Sequence, residues 1–260
     1  MKSDSEKLLA PDEPLPCLTI GEPNDSPFLI VCDHAGKLIP RRLATLGVSE
    51  PDLERHIGWD IGAAGVARQL AQKLGALLIL QRYSRLVIDC NRAPGSATSI
   101  VEVSEHTAVP GNRGLTRAQV TRRTAEIFQP YHDRIADELD RRLAANIPTA
   151  LIAIHSFTPI YKGQARPWQI GLLYNRDPRI ARTMIALLRT ESGGFTVGDN
   201  QPYSVSDESD YTIPVHAERR GLPYAEIEIR QDLIATAVGQ VDWAERLARL
   251  LIRSWRALET

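Results

Sequence analysis

Two histidines follow apolar runs that read as core strands. His34 comes after PFLIVC (27–32) and Asp33, and His155 comes directly after TALIAI (149–154). Imidazoles at the carboxyl ends of two strands of one sheet can face a common point, as a divalent cation requires. A catalytic zinc commonly takes three protein ligands and keeps one position for water, and a nearby carboxylate shuttles the proton. The spacing leaves the third ligand open. Asp33 alternates away from His34 if the strand continues. Asp60, after HIGW (56–59), opens a helical run. It reads as a ligand or as a helix N-cap, and the helix dipole suits a carboxylate there.

Glu226 and Glu228, within YAEIEI (224–229), share one face of a strand. Two inward carboxylates on a buried strand are costly unless paired or liganded. They read as a general acid or base beside a metal-bound water, or as the solvent side of an edge strand. Arg85, Arg92 with Asn91, and Arg166 are candidate clamps for a substrate carboxylate, which guanidinium grips through two parallel hydrogen bonds. Each also reads as a structural ion pair or a surface latch. His56, His106 and His132 read as loop or solvated histidines, and His216 is undecided.

The elements that must position these residues alternate between strand and helix. Strands are expected at 27–32, 76–80, 86–90, 149–154, 168–174 and 224–229. Helices are expected at 60–74, closed by Gly75, at 116–143 with a kink or break at Pro130, from Asp177-Pro178 to about Ser192, and at 241–258. Residues 93–115 and 198–212 read as long loops, and long loops in compact domains are often functional. This order predicts a single three-layer α/β domain, a mixed and mostly parallel sheet with helices on both faces. Ligands of such sheets bind at the carboxyl edge of the strands, where the titratable residues gather.

The composition narrows the function further. The 260 residues carry 31 Lys plus Arg against 32 Asp plus Glu, so no basic excess draws in nucleic acid or anionic membrane. No apolar run approaches the ~18 residues that cross a bilayer. Three cysteines without CxxC spacing argue against a disulfide framework and for a reducing cytoplasm. The start, MKSDSEKLLAPDEPLP, is polar and lacks a signal-peptide core, so residues 1–20 are expected to be a flexible tail and 21–260 one catalytic domain. GxGxxG, P-loop and GxSxG patterns are absent.

The blocks CDHAG (32–36), HIGWDIGA (56–63), SRLVIDCNR (84–92), VPGNRGL (109–115), IHSFTP (154–159), RPWQIGLLYNRD (166–177), GDNQPYS (198–204) and EIEIRQDLI (226–234) keep their order over residues 27–235. Together they resemble the N-formylglutamate amidohydrolase family. The resemblance implies a zinc-carboxypeptidase-like (phosphorylase/hydrolase-like) fold and hydrolysis of an N-acyl amide of an acidic amino acid. The family's named reaction converts N-formyl-L-glutamate to formate and glutamate, late in histidine degradation. By position, the resemblance implies His34 and His155 as metal ligands, Glu228 as the catalytic carboxylate, and Asn91 with Arg92 as the pair that holds a substrate carboxylate. The chain departs from the wider carboxypeptidase pattern HxxE, because Lys37 stands three residues after His34. Asp60 therefore enters as a hypothesis for the third ligand.

The combined expectation is a cytoplasmic, metal-dependent amidohydrolase. His34, Asp60 and His155 hold zinc or another divalent first-row ion, Glu228 is the general base, and Arg85, Asn91, Arg92 and Arg166 bind substrate. The partner is a small acidic N-acyl amino acid, with no nucleic acid or membrane, and the oligomeric state is open. The alternatives are a non-catalytic binder of an acidic metabolite and a deacylase for another N-acyl amino acid.

Overall fold

The computed structural model describes residues 7–191 and 194–258. Its strands, in chain order, are β1 Cys17–Ile20, β2 Phe28–Cys32, β3 Leu77–Gln81, β4 Val103–Ser104, β5 Thr107–Ala108, β6 Ala150–Phe157, β7 Ile160–Tyr161, β8 Gln164–Ala165, β9 Ile170–Leu173, β10 Val197–Asp199 and β11 Tyr224–Arg230. The α-helices are α1 Glu50–Leu53, α2 Ala63–Leu74, α3 Arg117–Arg123, α4 Gln129–Ala144, α5 Arg179–Thr190 and α6 Ala237–Arg256. Seven strands form one sheet in the order β1-β3-β2-β6-β11-β9-β10. The β1–β3 and β11–β9 pairings are antiparallel, and the other neighbours run parallel. Two short hairpins, β4–β5 and β7–β8, stand apart from this sheet.

β2, β3 and β6 are buried at every residue, which is why they read as unbroken apolar runs rather than alternating ones. One parity of the sheet, including Ile30, Leu78 and Ile152, packs on α2, α5 and α6. The other, including Leu29, Val31, Ile79 and Leu151, packs on Ile127, Tyr131 and Ile135. The three-layer α/β architecture follows directly from these two burial stripes.

Local chemistry sets the helix ends. Gly75 takes the left-handed conformation (φ 56°) and its N–H caps Ala71, closing α2 as the sequence predicts. Between α3 and α4 a π-helical turn, Thr124–Phe128, absorbs the missing N–H of Pro130, so the expected break appears as a widened turn inside a continuous helical run. α5 ends at Thr190; Ser192, the expected end, lies outside the described residues.

Three expectations differ from the fold. Leu86–Cys90 is not a strand but a turn, begun by the Val87 N–H donating to Ser84 O. Its apolar side chains are nevertheless buried, because they plug the core below the sheet. No ladder is open to them there, since β1 occupies the outer edge of β3 and β2 is paired on both sides. Residues 17–20, placed in the tail by sequence, form β1, and Leu8 is buried against the core; residues 1–6 lie outside the described residues. His132 is not solvated: it is 3% exposed, as is His216. No helix among the described residues is long and apolar enough to cross a membrane.

The buried histidine pair makes stability depend on acidity. Burial pushes His132 down to about 4 and His216 down to about 3. An unfolded chain takes up these protons near pH 6.5, so the stability that the neutral rings permit is present above that pH and is lost on acidification. The stability advantage of wild type over His216→Phe should shrink by roughly 3 kcal/mol between pH 7 and 4. Urea unfolding at both pH values measures it, and an unchanged difference would contradict burial of a neutral ring.

Candidate active site

The site lies at the carboxyl edge of β2, β6 and β11. β2 stops at Cys32 and the chain turns at Asp33 and His34. The strand alternation that would carry Asp33 away from His34 therefore does not apply. His155 lies inside β6 rather than after it, and the parallel register sets Glu228 of β11 directly beside it. Asp60 is not the N-cap of α2. Gly62 holds that position at φ 81°, where an added Cβ would lie 2.2 Å from Ile234 O. Only glycine fits there. The bend leaves Asp60 free to enter the site, and its own N–H donates to His34 O at 3.0 Å.

One oxygen of Asp60, Oδ2, faces both rings. It is 3.0 Å from His155 Nδ1 and 3.4 Å from His34 Nδ1, and it accepts the Ser156 N–H at 3.2 Å. The three side chains are buried, and their ligand atoms lie within 4.8 Å of one another. Each ring has a second carboxylate behind it. His34 Nε2 is 2.7 Å from Asp89 Oδ1, and His155 Nε2 is 3.0 Å from Asp33 Oδ2. A carboxylate accepts, so each Nε2 carries a proton and, in the neutral ring, each Nδ1 directs a lone pair toward Asp60. His34 Nδ1 has no hydrogen-bond partner although it is buried. Two imidazole nitrogens and a carboxylate oxygen, oriented by outer carboxylates, fit a first-row divalent cation.

The charges agree with that fit. Burial opposes ionisation of Asp60, but the two imidazoles outweigh it and hold the carboxyl far below its ordinary range. Asp33 is likewise held at about 2, burial being overcome by the hydrogen bond from His155. Both imidazoles are raised against burial by the surrounding carboxylates. Three ionised carboxylates, Asp33, Asp60 and Asp89, thus surround the two rings where a cation would sit.

In the sequence, strand alternation set Asp33 aside, and Asp89 had no role at the site. Asp33 also accepts from Tyr131 Oη (2.8 Å) and Thr212 Oγ1 (2.7 Å). Asp89 also accepts from Asn91 N (2.9 Å) and from Arg85 Nε and Nη2 (3.1 and 2.7 Å). The available signal was an aspartate next to each region of interest, at 33 and in IDCNR (88–92).

The site opens into a cavity of about 410 Å³ that also meets Glu226, Glu228, Arg85 and Arg92. Both glutamates are buried and each leaves Oε2 without a partner. Burial pushes Glu228 up to about 7, and Glu226 is driven well above the ordinary range by burial and by Asp210. Arg92 pairs with Asp210 at 3.3 Å. Asn91 is occupied with the chain at 210–212: its Oδ1 accepts from Tyr211 N and Thr212 N, and its Nδ2 donates to Asp210. Arg166 sits behind the cavity wall, its guanidinium 4.6 Å from the Tyr161 ring centroid and 4.8 Å from that of Tyr203, and it donates to Tyr203 Oη at 2.8 Å. His56 is at the cavity rim, 3.4 Å from Glu105, and His106 is exposed.

A sequence model of the family described as N-formylglutamate amidohydrolase matches residues 26–235. The chain belongs to this family. Its members are hydrolases of amide bonds, and the cavity described above lies within the matched span. Among solved structures, gene product Atu2144 from Agrobacterium tumefaciens is 37% identical, with a TM-score of 0.92 over 98% of this chain and 100% of that one. The N-formylglutamate amidohydrolase from Ralstonia eutropha JMP134 is 20% identical, with a TM-score of 0.70 over 93% of this chain and 99% of that one, and shares the fold. No curated protein matches.

Removing a carboxylate behind a ring should be expensive. Asp89→Ala leaves the buried His34 Nε2–H and the Asn91 N–H without partners and leaves Arg85 only its longer contact with Asp60 at 3.4 Å. Breaking such a buried pair costs on the order of 3–5 kcal/mol. Urea unfolding of metal-free protein reads the loss, and a change below about 1 kcal/mol would mean that water replaces the carboxylate at little cost.

Proposed function

We propose that the chain is a metal-dependent amidohydrolase that removes the formyl group of N-formyl-L-glutamate. The observation that carries this reading is the convergence of His34 Nδ1, His155 Nδ1 and Asp60 Oδ2, with Glu228 in register beside His155. Membership of the family supports the reaction class. The donor set suits zinc or a similar divalent ion, which when bound would polarise the acyl carbonyl and acidify a water.

The protein's own groups supply the rest. Glu228, with a carboxyl near 7, accepts the proton of the attacking water and passes it to the leaving nitrogen as the C–N bond breaks. The water oxygen becomes part of formate, and the nitrogen departs as the amine of glutamate. Arg85 and Arg92 line the cavity, but each already faces carboxylates of the chain, Asp89 and Asp60 for the first and Asp210 for the second. Arg166 has no ion pair among the described residues and is faced by aromatic rings instead. A substrate carboxylate would be anchored by Arg92, with Asn91 holding the 210–212 chain beside it, and a second by Arg166 from the Tyr203 side of the wall. Free Cys17, Cys32 and Cys90 suit a reducing compartment, and we place the reaction in the cytoplasm.

His34→Ala and His155→Ala should each lose bound metal and turnover, read by metal analysis and formate release. Glu228→Gln should keep the metal and lose rate by about 10² or more; near-full activity in that variant would misassign the base. A screen of N-formyl, N-acetyl and N-succinyl amino acids tests the acyl group. Arg166→Ala should raise KM for N-formylglutamate by roughly tenfold, equivalent to about 1.4 kcal/mol, and leave N-formylalanine unaffected. An equal effect on both would remove Arg166 from carboxylate recognition.

A further inference from the structure

Two buried histidines outside the ligand set remain unexplained by the reaction. His132 of α4 and His216 stack nearly parallel, with ring centroids 5.2 Å apart and an interplanar angle of 10°. His132 Nδ1 lies 2.9 Å from His216 Nε2, and His132 Nε2 lies 2.8 Å from Cys90 O. A carbonyl only accepts, so His132 carries its proton on Nε2. Its Nδ1 must then accept, and His216 must donate from Nε2. His216 Nδ1 is left as a buried lone pair with no partner. One fixed acceptor thus determines both tautomers.

The pair ties together three segments that converge on Asp33. His132 follows Tyr131, whose hydroxyl donates to Asp33 Oδ1. His216 lies in the π-helical turn Ile213–Ala217, which begins directly after Thr212, the other hydroxyl donor to the same oxygen. Cys90 precedes Asn91, whose side chain accepts from Tyr211 N and Thr212 N. Both histidines are associated with π-turns, Thr124–Phe128 just before His132 and Ile213–Ala217 around His216. Such turns are uncommon and often occur at functional sites. Tyr211 packs edge-on against His132, with centroids 4.6 Å apart.

We propose that His132 and His216 are a positioning pair: they set the Tyr131 and Thr212 hydroxyls on Asp33, and through Asp33 they fix the orientation and tautomer of His155. The relay runs from Cys90 O to His132, to His216, and through the chain each ring carries to the two hydroxyls. Neither histidine lines the cavity, so neither is catalytic. The inference rests on the metal reading only in its last link, because the hydrogen bonds up to His155 exist without an ion.

The first test is nitrogen NMR of the imidazoles in metal-free wild type at pH 7. Both rings should be neutral with the proton on Nε2, and a proton on Nδ1 of either ring would overturn the relay. This result stands whether or not the protein binds metal. The second test is zinc affinity by chelator competition, with activity as a separate readout. His216→Phe keeps a stacked ring but removes the donor, and it should weaken zinc binding by roughly tenfold, in the range seen for outer-shell changes. His216→Gln, which offers an N–H, should recover most of that affinity. In an Asp33→Asn background, His216→Phe should cost nothing further, since the link it acts through is already cut. Additive losses, or unchanged zinc affinity in folded His216→Phe, would reduce the pair to packing. Wild type that binds no zinc would sink the metal reading while leaving the tautomer result to judge the pair.

Discussion

A single carboxylate oxygen of Asp60 lies between two imidazoles, and the surrounding structure is arranged to keep it there. Taking ionisable groups out of water costs several kcal/mol each unless they are paired and hydrogen-bonded. Here every member has a partner on its far side: Asp89 behind His34, Asp33 behind His155, Arg85 on Asp89 and near Asp60. The network extends outward through Tyr131 and Thr212 to the helical layer. Its rigidity comes from the number of these contacts, because moving one ring strands a carboxylate.

The fold supplies this arrangement by placing strand ends rather than loops. β2, β6 and β11 are consecutive neighbours in the middle of the sheet, so His155 and Glu228 are fixed by ladder register, and Asp33 and His34 stand in the turn directly at the end of β2. Asp60 depends on a longer connection, and that connection is held by a backbone hydrogen bond to His34 and by a left-handed glycine against Ile234. The α2 stripe of Val66, Ala67 and Leu70 then anchors the bend to the core. Loss of a leucine from such a stripe costs about 2–5 kcal/mol, so the helix cannot shift to accommodate a misplaced Asp60.

Much of the architecture was legible in the sequence because buried parallel strands leave long apolar runs, and because Gly75 and Pro130 punctuate their helices in recognisable ways. The run at 86–90 misled for the same reason: an apolar segment that fills a core looks like a strand, and only the occupancy of neighbouring edges by β1 and β6 distinguishes the two. His34, Asp60 and His155 could be singled out from their places after strands and before a helix. Asp33 and Asp89 could not, since their value lies in which ring nitrogen they face, and a strand alternation argument pointed Asp33 the wrong way. His132 and His216 sit on amphipathic helical segments whose polar residues usually meet water. Their burial depends on two π-turns that no periodicity predicts.

Glu226 and Glu228 share a strand face, yet their surroundings separate them. Glu228 pairs in register with His155 and feels His155, Arg85 and His34, which offset the burial penalty enough to leave its carboxyl at about 7. Glu226 lies two pairs deeper, opposite Ala153, with Asp210, Glu228 and Asp33 as acidic neighbours, and His155 alone does not compensate. A base must give up and regain a proton near the working pH, and the role proposed for Glu228 rests on this difference of environment. In Glu226 the same burial favours the protonated form, and its carboxyl is a buried polar group in the cavity wall. The difference between two identical side chains is therefore set by a shift of two register pairs along β11: His155 acts on both, but only Glu228 also feels Arg85 and His34.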